Sequence, residues 1–361
     1  MKNLVTILCL FLFSSILISG CGGGKSKSED RKMNASLDSL ITNMAACKEQ
    51  NTNCPAYTKA SEQIPAMAKD TANKNLVEDL FNGIAQSTSG ARSAACAHAI
   101  NFWVGNSDHY KNAAYGRIVL DALKKEKYDE KSYVGSTLGQ LLSGWLVTDD
   151  QALLKDIHAA IKDNNTEKRG RKELIRLSGK ESFAKPGLLD LLISLANDSK
   201  ESEEIRVACL GVIWRVDEKS QAKKVEDLYI GFLSNAAPAI VGASLEGLGY
   251  MKSVNGFGKV LETIEKSGAN EEYYSSSSRA LNSYISFEAK EGIDTKKAFN
   301  LAVKMANNTN LKPYNRSYYI LPIETFGGSE GKKALSKLEA STEKDIANPA
   351  KQALERLKNK K

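Results

Sequence analysis

The chain has 361 residues, a 42% hydrophobic share, a 7% aromatic share and seven prolines. This composition supplies a sizeable core and excludes wholesale disorder, and its plentiful Ala, Leu, Lys and Glu favour helix over sheet. The formal net charge of +7, one unit lower if Lys2 leaves with a leader, is a weak field over this length and only slight evidence for an anionic partner; with an export signal at the start, no nucleic-acid partner is expected.

Lys2 gives a positive start, and Leu4 to Ile18 form an apolar run without charge. That run is shorter than the ~20 residues a spanning helix needs, so residues 1–20 read as a cleaved export signal. It ends in Leu17-Ile18-Ser19-Gly20-Cys21, which resembles the lipobox of bacterial lipoproteins. The resemblance implies a diacylglyceryl group on the Cys21 thiol, cleavage before Cys21, and acylation of the new amine. An ordinary signal peptide with a chance cysteine is the alternative. Several acyl chains, at ~0.8 kcal/mol per buried CH₂, would hold the protein stably on a membrane. Gly22-Gly23-Gly24 and the polar residues up to 32 then form a flexible tether. Gly22 directly after the cysteine resembles the pattern sorted to the outer membrane. The expected location is therefore a membrane surface facing the periplasm, or the cell surface.

Residues 33–361 read as stacked helices. Met33 to Cys47 and Pro55 to Lys69 are a predicted helix pair within 33–70, a candidate cap. Cys47 closes the first helix and Cys54 opens the second, so in an oxidising compartment the two are expected to form a disulfide; two free thiols are the alternative. Val77, Phe81 and Ile84 then mark a helix, followed by Ala95, Cys96, Ala99, Ile100 and Trp103 with Arg92 as the polar member of the same face. The spacing 0, 3, 4, 7, 8, 11 is one buried face of a helix, and it returns along the chain. It falls on Val134, Thr137, Leu138, Leu141, Leu142 and Trp145, and on Ile205, Ala208, Cys209, Val212, Ile213 and Val216. Thirty-five residues after Ile205 it falls on Ile240, Ala243, Ser244, Gly247, Leu248 and Met251, and later on Ile346, Pro349, Ala350, Ala353, Leu354 and Leu357. Weaker copies begin near Gly170, at Ser277 and at Tyr314. A second amphipathic helix precedes several copies: Val225, Leu228, Tyr229, Phe232 and Leu233; Phe257, Val260, Leu261 and Ile264; Phe299, Val303 and Ala306. Ser220, Asp294 and Ser329 are expected N-caps, Gly268 and Gly327 helix stops, and Pro186 and Pro313 first-turn residues.

One such pair is too thin to bury its own apolar face, so neighbours must stack. The fold expected is all-α: a right-handed α-solenoid of stacked antiparallel helix pairs. Ile205-Arg206, Cys209, Val212-Ile213 and Asp217, with Ser244-Leu245-Glu246-Gly247-Leu248-Gly249, resemble the HEAT-repeat family, and the resemblance runs from about Leu76 to the C-terminus. Tetratricopeptide repeats fit less well, because the period exceeds 34 and their Trp-Leu-Gly-Tyr order is missing.

Little here carries chemistry. Cys96 and Cys209 share one core position three repeats apart and read as packing residues. His98, His109 and His158 lack partners at metal-ligand spacing, so neither metal nor cofactor is expected. Asn255-Gly256-Phe257-Gly258-Lys259 lacks a preceding strand and reads as an inter-helix turn. Asp149-Asp150 and Glu271-Glu272 suit helix N-termini. Trp103 and Trp145 read as core. Trp214 falls off the core stripe, with Arg206, Arg215, Arg279 and Tyr319 on comparable faces expected to be exposed. Arg and aromatic side chains supply most interface anchors, which makes Arg206, Trp214, Arg279 and Tyr319 candidate partner-binding residues; edge-packed side chains are the alternative. The basic cluster Lys168-Arg169, Arg171-Lys172 and Arg176 reads as a solvated face. The function expected is a membrane-anchored, non-catalytic scaffold for a protein or peptide. A HEAT-like enzyme such as a lyase, or a periplasmic lipid or glycan carrier, is the alternative.

Overall fold

A helix begins where a side-chain oxygen can take the unpaired amides of its first turn, and this chain supplies such oxygens repeatedly. Asn34 Oδ1 accepts from Ser36 N at 2.9 Å, Asp150 Oδ1 from Leu153 N at 2.8 Å, Glu167 Oε2 from Gly170 N at 2.9 Å, and Asp294 Oδ1 from Lys297 N at 3.0 Å. The structure is a computed structural model that describes residues 32–47, 53–104, 113–125, 133–143, 150–179, 187–215, 221–266, 273–286 and 291–359. The signal, Cys21, the tether, His109, Trp145, Asp149, Pro186, Val216, Asp217, Ser220, Gly268 and Glu271-Glu272 lie outside the described residues.

The described helices alternate between a first and a second helix of successive pairs. They are α1 (Ala35–Ala45) with α2 (Pro55–Lys69), α3 (Leu76–Ala85) with α4 (Gly90–Ala99), and α5 (Ala113–Lys125) with α6 (Tyr133–Leu141). Next come α7 (Gln151–Lys162) with α8 (Lys168–Leu177), α9 (Leu188–Asn197) with α10 (Glu203–Ile213), and α11 (Ala222–Asn235) with α12 (Pro238–Met251). The series closes with α13 (Val254–Lys266) and α14 (Tyr274–Ile285), α15 (Thr295–Ala306) and the divided α16 (Pro313–Ser317) and α17 (Ile320–Phe326), then α18 (Gly328–Glu339) and α19 (Lys344–Asn359). Among the described residues there is no strand. The chain is an all-α solenoid.

The recurring template names the second helices. Ile205, Cys209, Val212 and Ile213 are buried, as are Ile240, Ser244, Gly247 and Leu248, and Ile346, Ala350, Ala353, Leu354 and Leu357. One apolar cluster runs from Leu37 to Leu357 between the two layers, so the core is continuous and no pair owns its own. Successive second helices touch over longer stretches than successive first helices do. A stack with unequal layers curves toward the tighter one, which puts the second helices on the inner side.

Close approach explains the small residues of α12. A Cβ on Gly249 would lie 2.7 Å from the Ala280 Cα of α14, and one on Gly247 would lie 2.2 Å from the ring of Tyr229, which fills that space. The buried Tyr229 hydroxyl then donates to Leu210 O at 2.5 Å, tying α11 to the preceding second helix.

Three arginines repeat one device. Nε of Arg171, Arg206 and Arg316 donates to the carbonyl ten residues earlier, at Ile161, Ala196 and Ala306, at 2.6, 2.9 and 2.9 Å. Each closes the exposed C-terminal carbonyls of a first helix from the start of its second helix. Arg171 also lies 2.7 Å from Glu201, and Arg316 lies 2.5 Å from Glu343, both of the next repeat.

Several expectations need correction. The copy placed at Tyr314 is one residue out of register: Asn315, Tyr319 and Ile323 are buried, while Tyr314 and Leu321 are exposed. Pro322 does not move that face, since Asn315 before the break and Ile323 after it share one register, but it does break the helix. It has no amide to give to Tyr318 O, so the helix divides, and Ser278 Oγ of α14 donates to that carbonyl at 2.6 Å instead. Asn255 to Lys259 are not a turn but the first turns of α13, whose start is capped by Ser253 Oγ accepting from Gly256 N at 2.7 Å. Ser329 lies inside α18, and Gly327, at φ 63°, holds the junction in a conformation open to glycine. The expected bridge is present: Cys47 and Cys54 form a disulfide with a Cα–Cα distance of 6.2 Å, linking the segment after α1 to the start of α2.

Candidate functional site

The outward stripe of each second helix, opposite its core face, is where a stacked protein can meet a partner. On α8 this stripe carries Arg169, Lys172 and Arg176, and on α10 it carries Ala208, Gly211 and Arg215. The two stripes and the edge of α6 enclose an open groove of about 680 Å³. Its floor is small, made by Gly135, Ser136, Ala208, Gly211 and Val212; its walls are Arg169, Lys172, Arg176 and Arg215, with Glu173 as the acid.

Two of those cations are held in place. Glu173 is buried and grips Arg176 twice, at 2.9 Å from Nε and 2.5 Å from Nη2, while about half of the Arg176 side chain stays exposed. The Arg215 guanidinium lies 4.8 Å from the Trp214 ring centre, and Trp214 in turn stacks on Tyr250 at 4.5 Å. Lys172 and Lys168 both approach Glu204, at 3.5 and 3.2 Å, and that carboxyl is held below its ordinary range, chiefly by the bond from Lys168.

The sequence-predicted anchors scatter. Trp214 is half-buried and buttresses Arg215 from beside the groove. Arg206 is half-buried and engaged, with its Nε on Ala196 O of its own repeat and its guanidinium 5.7 Å from the ring centre of Phe232 in the next. Arg279 is half-exposed on the second-helix side and pairs with Glu246 at 2.5 Å, so Glu246 bridges α12 to α14 and does not simply face solvent. Tyr319 is fully buried, which removes it from the surface altogether. The one-residue register slip at α16 put it on the wrong face. The groove is lined instead by Arg169, Lys172 and Arg176, one stripe of α8, and by Arg215 from the end of α10.

Other reactive groups are enclosed. Burial pushes the Cys96 and Cys209 thiols up to about 12, which leaves them protonated and inert at neutral pH. Among the described residues no cluster of three His, Cys, Asp or Glu side chains could hold a metal. No described helix is long and apolar enough to cross a membrane.

His98 sits among rings, 5.1 Å from Tyr57, 4.5 Å from Phe102 and 4.8 Å from Trp103. Burial lowers its pKa from 6.5 to about 4, because the imidazolium loses water there. The unfolded chain therefore binds the extra proton first. Stability is complete above pH 6.5 and falls as the pH drops toward 4, by on the order of 1–2 kcal/mol once solvent access to the half-buried ring is allowed for. NMR titration of the ring should place its midpoint well below 6.5, and His98→Gln should flatten the acid limb of the stability curve. A midpoint at the free-imidazole value would contradict this packing.

No known protein family matches the chain, and no curated protein sequence matches it. Among solved structures it is similar to a designed armadillo repeat protein, YIII(Dq)4CqI, at 16% identity and a TM-score of 0.35, covering 56% of this chain and 99% of that one. It is also similar to a chain from a structure of Kap95p bound to RanGDP, at 9% identity and a TM-score of 0.43, covering 90% of this chain and 50% of that one. The fold assignment rests on the helix order and packing described above.

Proposed function

We propose that this chain is a lipid-anchored, non-catalytic scaffold that holds a protein partner against the inner, second-helix face of its solenoid. The observation that carries the proposal is the groove over α6, α8 and α10, an open surface flanked by arginines that neighbouring side chains already fix in place. Pre-fixed arginines lose less freedom on binding, which is why such groups make effective anchors. The lipobox at Cys21 supports membrane attachment, and the tether, at ~3.5 Å per extended residue, would let the solenoid stand some tens of Å off the bilayer at most.

Two experiments test the two halves. Lipid attachment needs the thiol, so Cys21→Ala should abolish labelled palmitate incorporation; incorporation equal to wild type would remove the anchor. A photo-crosslinking residue at Gly211, on the groove floor, should capture a defined protein in intact membranes, and one at Lys155, exposed on first helix α7, should not. Equal capture from both positions, or from neither, would contradict a partner on the second-helix face.

A further inference from the structure

We infer that the groove takes an extended, acidic segment of the partner, an inference that rests on the scaffold reading above. Among the described residues four cations line it with one carboxylate, Glu173, which is already spent on Arg176; Lys172 also approaches Glu204, outside the lining, at 3.5 Å. A guanidinium has five N–H donors, and Glu173 occupies two of those on Arg176. Three remain for a ligand in a fork whose orientation is fixed before binding. The Arg215 guanidinium carbon lies 4.8 Å from the Trp214 ring centre, a cation–π contact of the kind that leaves N–H donors for a ligand. Both geometries suit carboxylates, which accept paired N–H bonds in one plane.

The floor argues for a peptide. Gly135, Ser136, Ala208 and Gly211 carry almost no side chain, so a main chain can settle close to the helices. A Cβ built on Gly211 meets nothing within 4 Å, which shows how much room is there. Among the described residues no aromatic side chain lines the groove, although sugar rings are commonly bound by stacking on such faces. At ~8–10 Å per helix layer, three second helices span about 16–20 Å, the length of roughly five or six extended residues. In an extended strand alternate side chains share a side, about 7 Å apart. Glutamates or aspartates on one side of such a strand therefore reach the α8 cations Lys172 and Arg176 at one layer and Arg215, just after α10, at the next, with small residues between them.

The test uses the mature lipidated protein in neutral detergent and a fluorescein-labelled peptide, (Ser-Glu)₄, followed by anisotropy. The peptide should bind saturably at 50 mM salt, weaken several-fold by 200 mM, and lose at least tenfold in affinity against the Arg176→Glu/Arg215→Glu double variant. A (Ser-Gln)₄ peptide should not bind, and Lys358→Glu, at the far end of the chain, should leave affinity unchanged. Both substituted arginines are exposed, and a melting curve matching wild type would show that the variant folds. Equal peptide binding by the double variant would overturn the inference. So would no peptide binding, or selective binding of phosphatidylglycerol vesicles or heparin instead. If the peptide fails while the Gly211 crosslink to a protein persists, the acidic segment is wrong and the scaffold reading stands. Loss of both removes the scaffold reading too.

Discussion

Arg171→Ala is expected to lower folding stability by about 3–5 kcal/mol, the range for breaking a buried ion pair by removing one partner. Arg171 and Glu201 keep only 4% and 9% side-chain exposure and lie 2.7 Å apart, while Arg171 Nε also holds Ile161 O at 2.6 Å. Alanine would strand the Glu201 carboxylate without its cation and leave the end of α7 without a donor. The pair itself need not be a net gain, because both charges lose water to form it. Arg171→Met with Glu201→Leu should therefore recover most of the loss. Arg316→Ala should cost less, since its partner Glu343 is 38% exposed and can find water. Urea titration read by circular dichroism checks the order; a loss below about 1 kcal/mol for Arg171→Ala would mean that the clamp does not bear on stability.

The second large effect is at Leu248. Its side chain has no exposure and fits against Gly256, where an added Cβ would sit 2.9 Å from Leu248 Cδ2. Truncation to alanine should cost about 2–5 kcal/mol through lost burial and the cavity that remains. Glu246→Ala, two residues away, loses its bonds to Ser276 and Arg279, but the Arg279 side chain is 48% exposed. An ion pair of that kind contributes roughly 0–1 kcal/mol. The two variants should melt far apart. Similar melting would mean that the buried face of α12 has been misassigned.

The faces of the helices were legible because burial repeats at a fixed spacing, and Ile205, Ile240 and Ile346 each open a buried face as read. Reading failed where backbone chemistry or buried charge broke the pattern. At α16 and α17 the exposed Tyr314 was taken as the start of a face that begins one residue later, in a helix that Pro322 divides. Near Gly170 the copy looked poor because Glu173 and Ser178 occupy buried positions of the face, Glu173 gripping Arg176 one turn on and Ser178 Oγ donating to Leu174 O. Glycines 256 and 258 looked like turn residues, yet Ser253 caps the helix before them. The groove was the hardest feature to see. Lys168 to Arg176 were visible as a basic run, but Arg215 lies 39 residues beyond Arg176 and joins it only when α8 and α10 stack. Spacing along one helix says nothing of that.

Successive helix pairs hold one another up through nearest neighbours, with the second-helix layer as the continuous inner wall. Hydrogen exchange on Leu248→Ala measures this directly. Protection should fall most in α12 and in its neighbours α10, α11, α13 and α14, and should stay near wild type in α3, α4 and α19. A uniform loss of protection from α3 to α19 would contradict the claim and describe a single cooperative bundle instead.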